Sequence, residues 1–93
     1  MTVEHVAGKN AGQIMLYALS TCGWCRKTRE MLGELGVEYS YEYVDLLQSP
    51  QREEAMKTVA QWNPSCSFPT LVINNQKCIV GFQPDEVSKA LKL

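Results

Sequence analysis

The chain has 93 residues, of which 45% are apolar and 20% are charged, and its formal net charge is -1. This composition excludes a disordered, fibrous or membrane-embedded chain, and the length allows one hydrophobic core without a second domain. The 9 Lys and Arg residues are scattered and form no basic run that would follow nucleic-acid phosphates or a lipid surface. We therefore expect a monomer that binds neither nucleic acid nor a membrane.

The N-terminal segment differs from the rest of the chain. Met1 to Asn10 lack the basic start and apolar stretch of a secretion signal. We expect residues 1–12 to be loose and residues 13–93 to form one domain. Because 4 cysteines in a small chain without a signal are not a disulfide framework, we expect a cytoplasmic protein with redox or metal chemistry.

The first predicted strand is the continuous apolar run from Ile14 to Leu19, which is typical of a central strand covered on both faces. After it, apolar side chains recur at helical spacing, and Gly36 ends the run. This pattern predicts a first helix from Gly23 to Leu35.

The second strand is predicted at Tyr39, Tyr41 and Tyr43, which alternate with polar residues as in a half-exposed strand at a sheet edge. It follows the first strand through a helix, so the two should be parallel. Ser49-Pro50 begins a second helix, and Asn63-Pro64 ends it.

The last third of the chain predicts a hairpin and a helix. Thr70–Ile73 and Lys77–Val80 are apolar runs joined by an asparagine-rich turn, and Pro84 begins the last helix. The predicted order is therefore β-α-β-α-β-β-α.

The chemistry is predicted at Cys22-Gly23-Trp24-Cys25, where the first strand meets the first helix. Unpaired backbone N–H groups and the positive end of the helix dipole stabilise a thiolate there, and Arg26 and Lys27 add positive charge. We expect Cys22 to attack a disulfide and Cys25, one helical turn further on, to resolve the mixed disulfide.

Two further motifs accompany this pair. Phe68-Pro69-Thr70 comes before the third strand, and Val80-Gly81-Phe82-Gln83-Pro84-Asp85 precedes the last helix. Together with the C-x-x-C pair, they resemble the glutaredoxin family over about Ile14 to Leu93. The resemblance implies an α/β thioredoxin-type fold with a four-stranded mixed sheet flanked by three helices. It also implies a cis Pro69 facing the cysteines, so that the backbone beside it pairs with a bound peptide or glutathione.

The resemblance and the residue chemistry together indicate a substrate-binding surface. Its expected members are Trp24, Arg26, Phe68, Pro69, Gly81, Phe82 and Asp85. Cys66 and Cys78 are either a second redox pair or small buried side chains.

The expected electron donor follows from a departure from the family pattern. Glutathione-using members usually carry Lys three residues before the first cysteine, and Leu19 stands there in this chain. The segment from Gly81 to Asp85 is more similar to glutaredoxin-like redoxins that donate electrons to ribonucleotide reductase and receive them from thioredoxin reductase. We therefore expect disulfide-containing proteins and a dithiol reductase as partners, with glutathione as the alternative reductant and no cofactor besides the Cys22–Cys25 disulfide.

Two metal-binding alternatives remain at this stage. Gly23 replaces a common proline, and glutaredoxins with glycine there resemble carriers of a two-iron two-sulfur cluster, which Cys22 and glutathione would hold between two protomers. A zinc site from all four cysteines has suitable ligands, but Cys66 and Cys78 lack the paired spacing. We expect no bound metal.

Overall fold

The computed structural model describes residues 3–92. Its strands are β1 Glu4–Val6, β2 Ile14–Ala18, β3 Tyr39–Tyr43, β4 Thr70–Ile73 and β5 Lys77–Val80, and its helices are α1 Gly23–Leu35, α2 Gln51–Trp62 and α3 Pro84–Leu91. The strands form one mixed five-stranded sheet in the order β1-β3-β2-β4-β5, with β2 and β3 parallel. The predicted segments 1–12 and 13–93 include Met1, Thr2 and Leu93, which lie outside the described residues.

The predicted thioredoxin-type α/β fold is confirmed from β2 to α3, including the helix Gly23–Leu35 and both strands of the hairpin. The parallel pairing of β2 with β3 is also confirmed. In the hairpin turn, Asn74 and Asn75 have φ angles of 54° and 53°, a left-handed conformation that asparagine adopts more readily than most residues.

The predicted number of strands is wrong, because β1 adds a fifth. Glu4, His5 and Val6 pair with β3 in the antiparallel sense, and Lys9 continues the contact through 2.8 Å backbone hydrogen bonds with Gly36 and Glu38. Residues 4–6 and Lys9 are therefore paired rather than loose, and β3 is not an edge strand. A strand of 3 residues is too short to show a period of two in the sequence.

Gly8 has a specific packing role in this N-terminal segment. A Cβ atom at this position would lie 2.7 Å from the backbone carbon of Val37. Only a residue without a side chain lets the segment lie so close to the turn after α1.

The core lies on both faces of the sheet. On one face, Ile14, Leu16 and Ala18 of β2 pack with side chains from α1 and α3, including Leu32 and Val87. On the other face, Tyr17 packs beside a smaller cluster that includes residues of α2. Successive residues of β2 therefore face opposite helix layers, as the continuous apolar run predicts.

The sheet register brings the two predicted motifs to the same end. Tyr17 of β2 lies opposite Thr70 of β4, so the end of β2 lies beside the start of β4. The Phe68–Pro69 peptide bond directly before β4 is cis, which confirms the expectation. The C-x-x-C segment after β2 and the proline before β4 therefore share one end of the sheet.

No helix within residues 3–92 combines the length and the apolar character needed to cross a membrane.

Candidate active site

Cys22 is the N-cap residue of α1. Its φ and ψ angles are -91° and 117°, an extended conformation that ends the turn after β2. Its backbone N–H donates to the Leu19 carbonyl at 3.2 Å, and its sulfur accepts a hydrogen bond from the Cys25 N–H at 3.2 Å. The half-buried sulfur therefore lies at the helix start, where a backbone N–H group and the helix dipole stabilise negative charge.

Cys25 lies in a different environment, with only 1% of its surface exposed. Burial and a hydrogen bond with the Cys22 thiol raise the pKa of Cys25 to about 12, although the backbone N–H of Leu19 acts in the opposite direction. Cys25 is therefore a neutral thiol behind Cys22. Neither cysteine is in a disulfide in this structure.

Asp45 anchors the turn that leads to Cys22. Its carboxylate accepts the Ser20 N–H at 2.9 Å and the Ser20 hydroxyl at 2.5 Å. The side-chain hydrogen bond from Ser20 is the main cause that lowers the pKa of Asp45. Arg52 donates to the Asp45 carbonyl at 2.8 Å, so this contact also joins the start of α2 to the turn.

An aromatic groove lies near the site, and we define it by Trp24, Phe68, Gly81 and Phe82. It encloses about 230 Å³. Trp24 is 58% exposed and stacks on Phe82 with ring centroids 5.7 Å apart. Gly81 has a φ of 84° and its N–H donates to the Pro69 carbonyl at 2.9 Å, which ties this groove to the cis proline.

Cys22 itself lines a second groove of about 380 Å³, which we call the arginine groove. Its lining residues are Leu19, Ser20, Cys22, Arg26, Arg29, Glu30, Tyr39 and Tyr43. It therefore combines the half-buried Cys22 sulfur with two arginine side chains and one carboxylate.

Arg29 is held in place by the tyrosines of β3. Its Nε donates to the Tyr39 hydroxyl at 3.2 Å, its Nη1 donates to the Tyr43 hydroxyl at 2.8 Å, and its guanidinium lies 3.8 Å from the centroid of the Tyr41 ring. Burial works against the charge, but the hydrogen bonds with the two phenols outweigh it and raise the pKa of Arg29. This side chain is therefore a fixed cation beside Cys22.

The predicted substrate-binding residues divide between the two grooves. Trp24, Phe68, Gly81 and Phe82 line the aromatic groove, and Arg26 lines the arginine groove. The Pro69 side chain is buried, and Asp85, in the first turn of α3, lines neither groove. Their roles in binding remain predictions.

Sequence reasoning missed the residues that build the arginine groove and its anchor, which are Ser20, Arg29, Tyr39, Tyr43 and Asp45. One signal was available for part of this set. Cys22, Arg26 and Arg29 follow one another at intervals of four and three, which places them on one helix face.

Cys66 and Cys78 are free thiols. Cys66 follows α2 with a φ of 52°, and Cys78 is half-buried in β5, where burial raises the pKa of its thiol. Their action as a second redox pair stays a prediction. Across residues 3–92, no three His, Cys, Asp or Glu side chains form a group that could hold a metal ion.

Similarity to known proteins extends over most of the chain. The family model described as Glutaredoxin matches residues 14–79. A glutaredoxin from Methanosarcina mazei Go1 is 45% identical with a TM-score of 0.93, over 100% of this chain and 90% of that one. Methanoredoxin from Methanosarcina acetivorans is also 45% identical, with a TM-score of 0.89 over 92% of this chain and 90% of that one.

A more distant relative comes from Clostridium pasteurianum. It is an uncharacterised glutaredoxin-like 8.6 kDa protein in a rubredoxin operon, and it is 27% identical over 79 residues. The match covers 85% of this chain and 97% of that protein.

Proposed function

Because the chain belongs to the glutaredoxin family, we propose that it is a dithiol-disulfide oxidoreductase that reduces protein disulfides through Cys22 and Cys25. The observation that carries this proposal is the unequal placement of the two thiols. Cys22 is half-buried at the helix start, while Cys25 is buried and forms a hydrogen bond with it. Only one of the two sulfurs is placed to meet a target first.

The reaction has two exchange steps. The Cys22 thiolate attacks one sulfur of the target disulfide, the target S–S bond breaks, and the leaving thiolate takes up a proton. Cys25 then loses its proton and attacks the Cys22 sulfur, which forms the Cys22–Cys25 disulfide and releases the second target thiol. Two electrons pass from the cysteine pair to the target, and a reductase restores the dithiol.

The position of Cys22 at the helix start and the burial of Cys25 give the two thiols different roles in these steps. Backbone N–H groups at the start of α1 stabilise the Cys22 sulfur both as nucleophile and as leaving group. Cys25 is one turn further on, so the second attack is intramolecular and needs no encounter.

We expect Cys22→Ser to abolish disulfide reduction, because no other thiol occupies the helix start. Cys25→Ser should still attack a target and then stall as a mixed disulfide. Incubation with a disulfide-linked peptide followed by mass spectrometry of the trapped adduct measures both outcomes. If the wild-type chain formed the adduct through Cys25 instead of Cys22, Cys25 would be the attacking thiol and Cys22 the resolving one.

Cys78→Ser is a matched control for these substitutions, since it removes a thiol in β5. This variant should reduce the peptide disulfide as fast as the wild-type protein and should accumulate no mixed disulfide. If Cys78→Ser also stalled the reaction, a second redox pair with Cys66 would take part in the electron transfer.

We propose a dithiol protein reductase, such as thioredoxin reductase, as the electron donor. Leu19 stands where glutathione-using members have Lys, and this supports a protein donor over glutathione. Ribonucleotide reductase is a candidate acceptor because of the resemblance from Gly81 to Asp85. We propose that the chain works as a monomer in the cytoplasm, where a reducing environment keeps its 4 cysteines as thiols.

We propose disulfide reduction ahead of cluster binding by Cys22 and glutathione. The chain has the second cysteine of the C-x-x-C motif, Cys25. This residue forms a hydrogen bond with the Cys22 sulfur, which suits a resolving thiol. The redox group is then the cysteine pair itself, with no resident cofactor.

A further inference from the structure

Cys22 lines the arginine groove and does not line the aromatic groove. Cys22, Arg26 and Arg29 lie on one face of α1, because residues three and four apart on a helix are neighbours. Trp24 comes two residues after Cys22 and is therefore turned about 200° around the helix axis. A target held at Cys22 can contact the arginine groove without contacting Trp24.

The charge of the arginine groove is fixed rather than mobile. Arg29 is held between the Tyr39 and Tyr43 hydroxyls and stacks on Tyr41, so it loses little side-chain freedom when a ligand binds. Each phenol accepts a hydrogen bond from Arg29 and has its own O–H to donate. A cation flanked by hydroxyl donors matches the charge and geometry of a carboxylate.

The net charge of the groove also favours a ligand with a carboxylate. Arg26 and Arg29 are its two cations, and Glu30 is its one acidic side chain. A volume of about 380 Å³ is enough for one or two side chains of a ligand. Because Cys22 also lines the groove, a molecule whose sulfur bonds to Cys22 can reach the groove with an acidic group.

We propose that the arginine groove receives an acidic side chain next to the attacked cysteine, on the protein segment that carries the target disulfide. This inference rests on the proposed function and specifies its substrate class. The exchange itself is unchanged: the target S–S bond breaks, the bond between Cys22 and the target sulfur forms, and the leaving sulfur takes up a proton. The groove adds positioning, with Arg29 as a specificity residue.

Two peptides test the proposal. Each is a symmetric disulfide-linked dimer, and they differ only in having Glu or Gln beside the cysteine. The rate of reduction by the reduced protein is divided by the rate with dithiothreitol, so that intrinsic differences in peptide reactivity cancel. At low salt we expect a normalised rate about five- to tenfold higher for the Glu peptide. The preference should weaken as added salt screens the charges.

Variants assign this preference to the groove. Arg29→Gln should bring the Glu-to-Gln ratio close to one, and Arg26→Gln, at an exposed position that does not hold the β3 tyrosines, should lower it. Lys27→Gln is the matched control, since Lys27 lies on the same helix but 5.3 Å from the centroid of the Trp24 ring, outside the groove. It should leave the ratio unchanged.

The outcomes separate the two proposals. Equal normalised rates for the two peptides would overturn the groove assignment and leave disulfide reduction standing, whereas no reduction of either peptide would overturn the proposed function. A second comparison uses dithiodiglycolate and neutral bis(2-hydroxyethyl) disulfide. An equally large preference for the anionic small disulfide would show selection for charge alone, and the assignment to a peptide segment would then be wrong.

Discussion

Cys25 and Cys22 are neighbours with different access to solvent. Cys25 is 1% exposed, and burial together with the hydrogen bond to Cys22 raises the pKa of Cys25 to about 12. The thiolate is the species that reacts with alkylating reagents, so the burial of Cys25 and its neutral, protonated state both protect it. In the reduced protein the two cysteines should therefore react in sequence.

We expect iodoacetamide to modify Cys22 but not Cys25 at pH 8. Alkylation of Cys25 should become faster as the pH rises toward about 12, because the thiolate fraction of Cys25 is small well below that value. Peptide mapping by mass spectrometry distinguishes the four cysteines. In Cys22→Ala, which removes a hydrogen bond that raises the Cys25 pKa, modification of Cys25 should begin at lower pH. Equal modification of both cysteines at pH 8 would contradict this account.

The position of the C-x-x-C pair at the start of α1 could be predicted from the sequence, whereas its surroundings could not. Cys22 and Cys25 lie at a strand-helix junction that local hydrophobic periodicity identifies. The contacts of Arg29 with Tyr39 and Tyr43 join residues 10 and 14 apart, and that of Asp45 with Ser20 joins residues 25 apart. Such contacts depend on how β3 packs beside α1, which local patterns do not contain.

The contact between Asp45 and Ser20 joins the short helical turn after β3 to the turn between β2 and α1. A carboxylate that accepts two hydrogen bonds is stabilised as an anion, which agrees with the lowered pKa of Asp45. The folded state therefore favours the ionised form. This contribution to stability is complete above the unfolded-state pKa of about 3.9 and is lost as the pH falls through the folded-state pKa.

We expect Asp45→Ala to lower the free energy of unfolding of the reduced protein by about 1 kcal/mol at pH 7, since the hydrogen bonds are partly exposed to solvent. The difference from wild type should shrink as the pH falls below about 4. Urea unfolding at both pH values measures it. Glu34→Ala, an exposed carboxylate of α1, serves as the control with a smaller effect. A loss of equal size at both pH values would show that the Asp45 charge is not responsible.

The predicted elements from β2 to α3 agree with the structure because each carries a strong local signal. Ile14–Ala18 is a continuous apolar run, Gly36 ends α1 with a φ of 69°, and the asparagines define the hairpin turn. β1 has no such signal, since its 3 residues are too few to show a period and depend on pairing with the distant β3. Because the sequence does not predict β1, it predicts β3 as an edge strand, which is wrong.

Two grooves of different chemistry lie around one end of the sheet. The aromatic groove offers apolar contacts from Trp24, Phe68 and Phe82, and the arginine groove offers fixed charge beside Cys22. Aromatic and arginine side chains are the residues that most often dominate protein-protein binding. We propose that a protein reductase docks across both grooves and makes more contacts than a small thiol can.

Reduction by glutathione provides the test of this preference. The family lysine, absent at Leu19, would supply one charge-assisted contact of about 1.5 to 3 kcal/mol to a glutathione carboxylate, or about ten- to hundredfold in affinity. We therefore expect fast turnover with a dithiol reductase and slow turnover with glutathione, compared in one coupled assay of disulfide reduction. Leu19→Lys should raise the glutathione rate, whereas Leu46→Lys, at a leucine that is 65% exposed and lines neither groove, should not. Fast glutathione turnover by the wild-type protein, unchanged by Leu19→Lys, would show that this position does not select the electron donor.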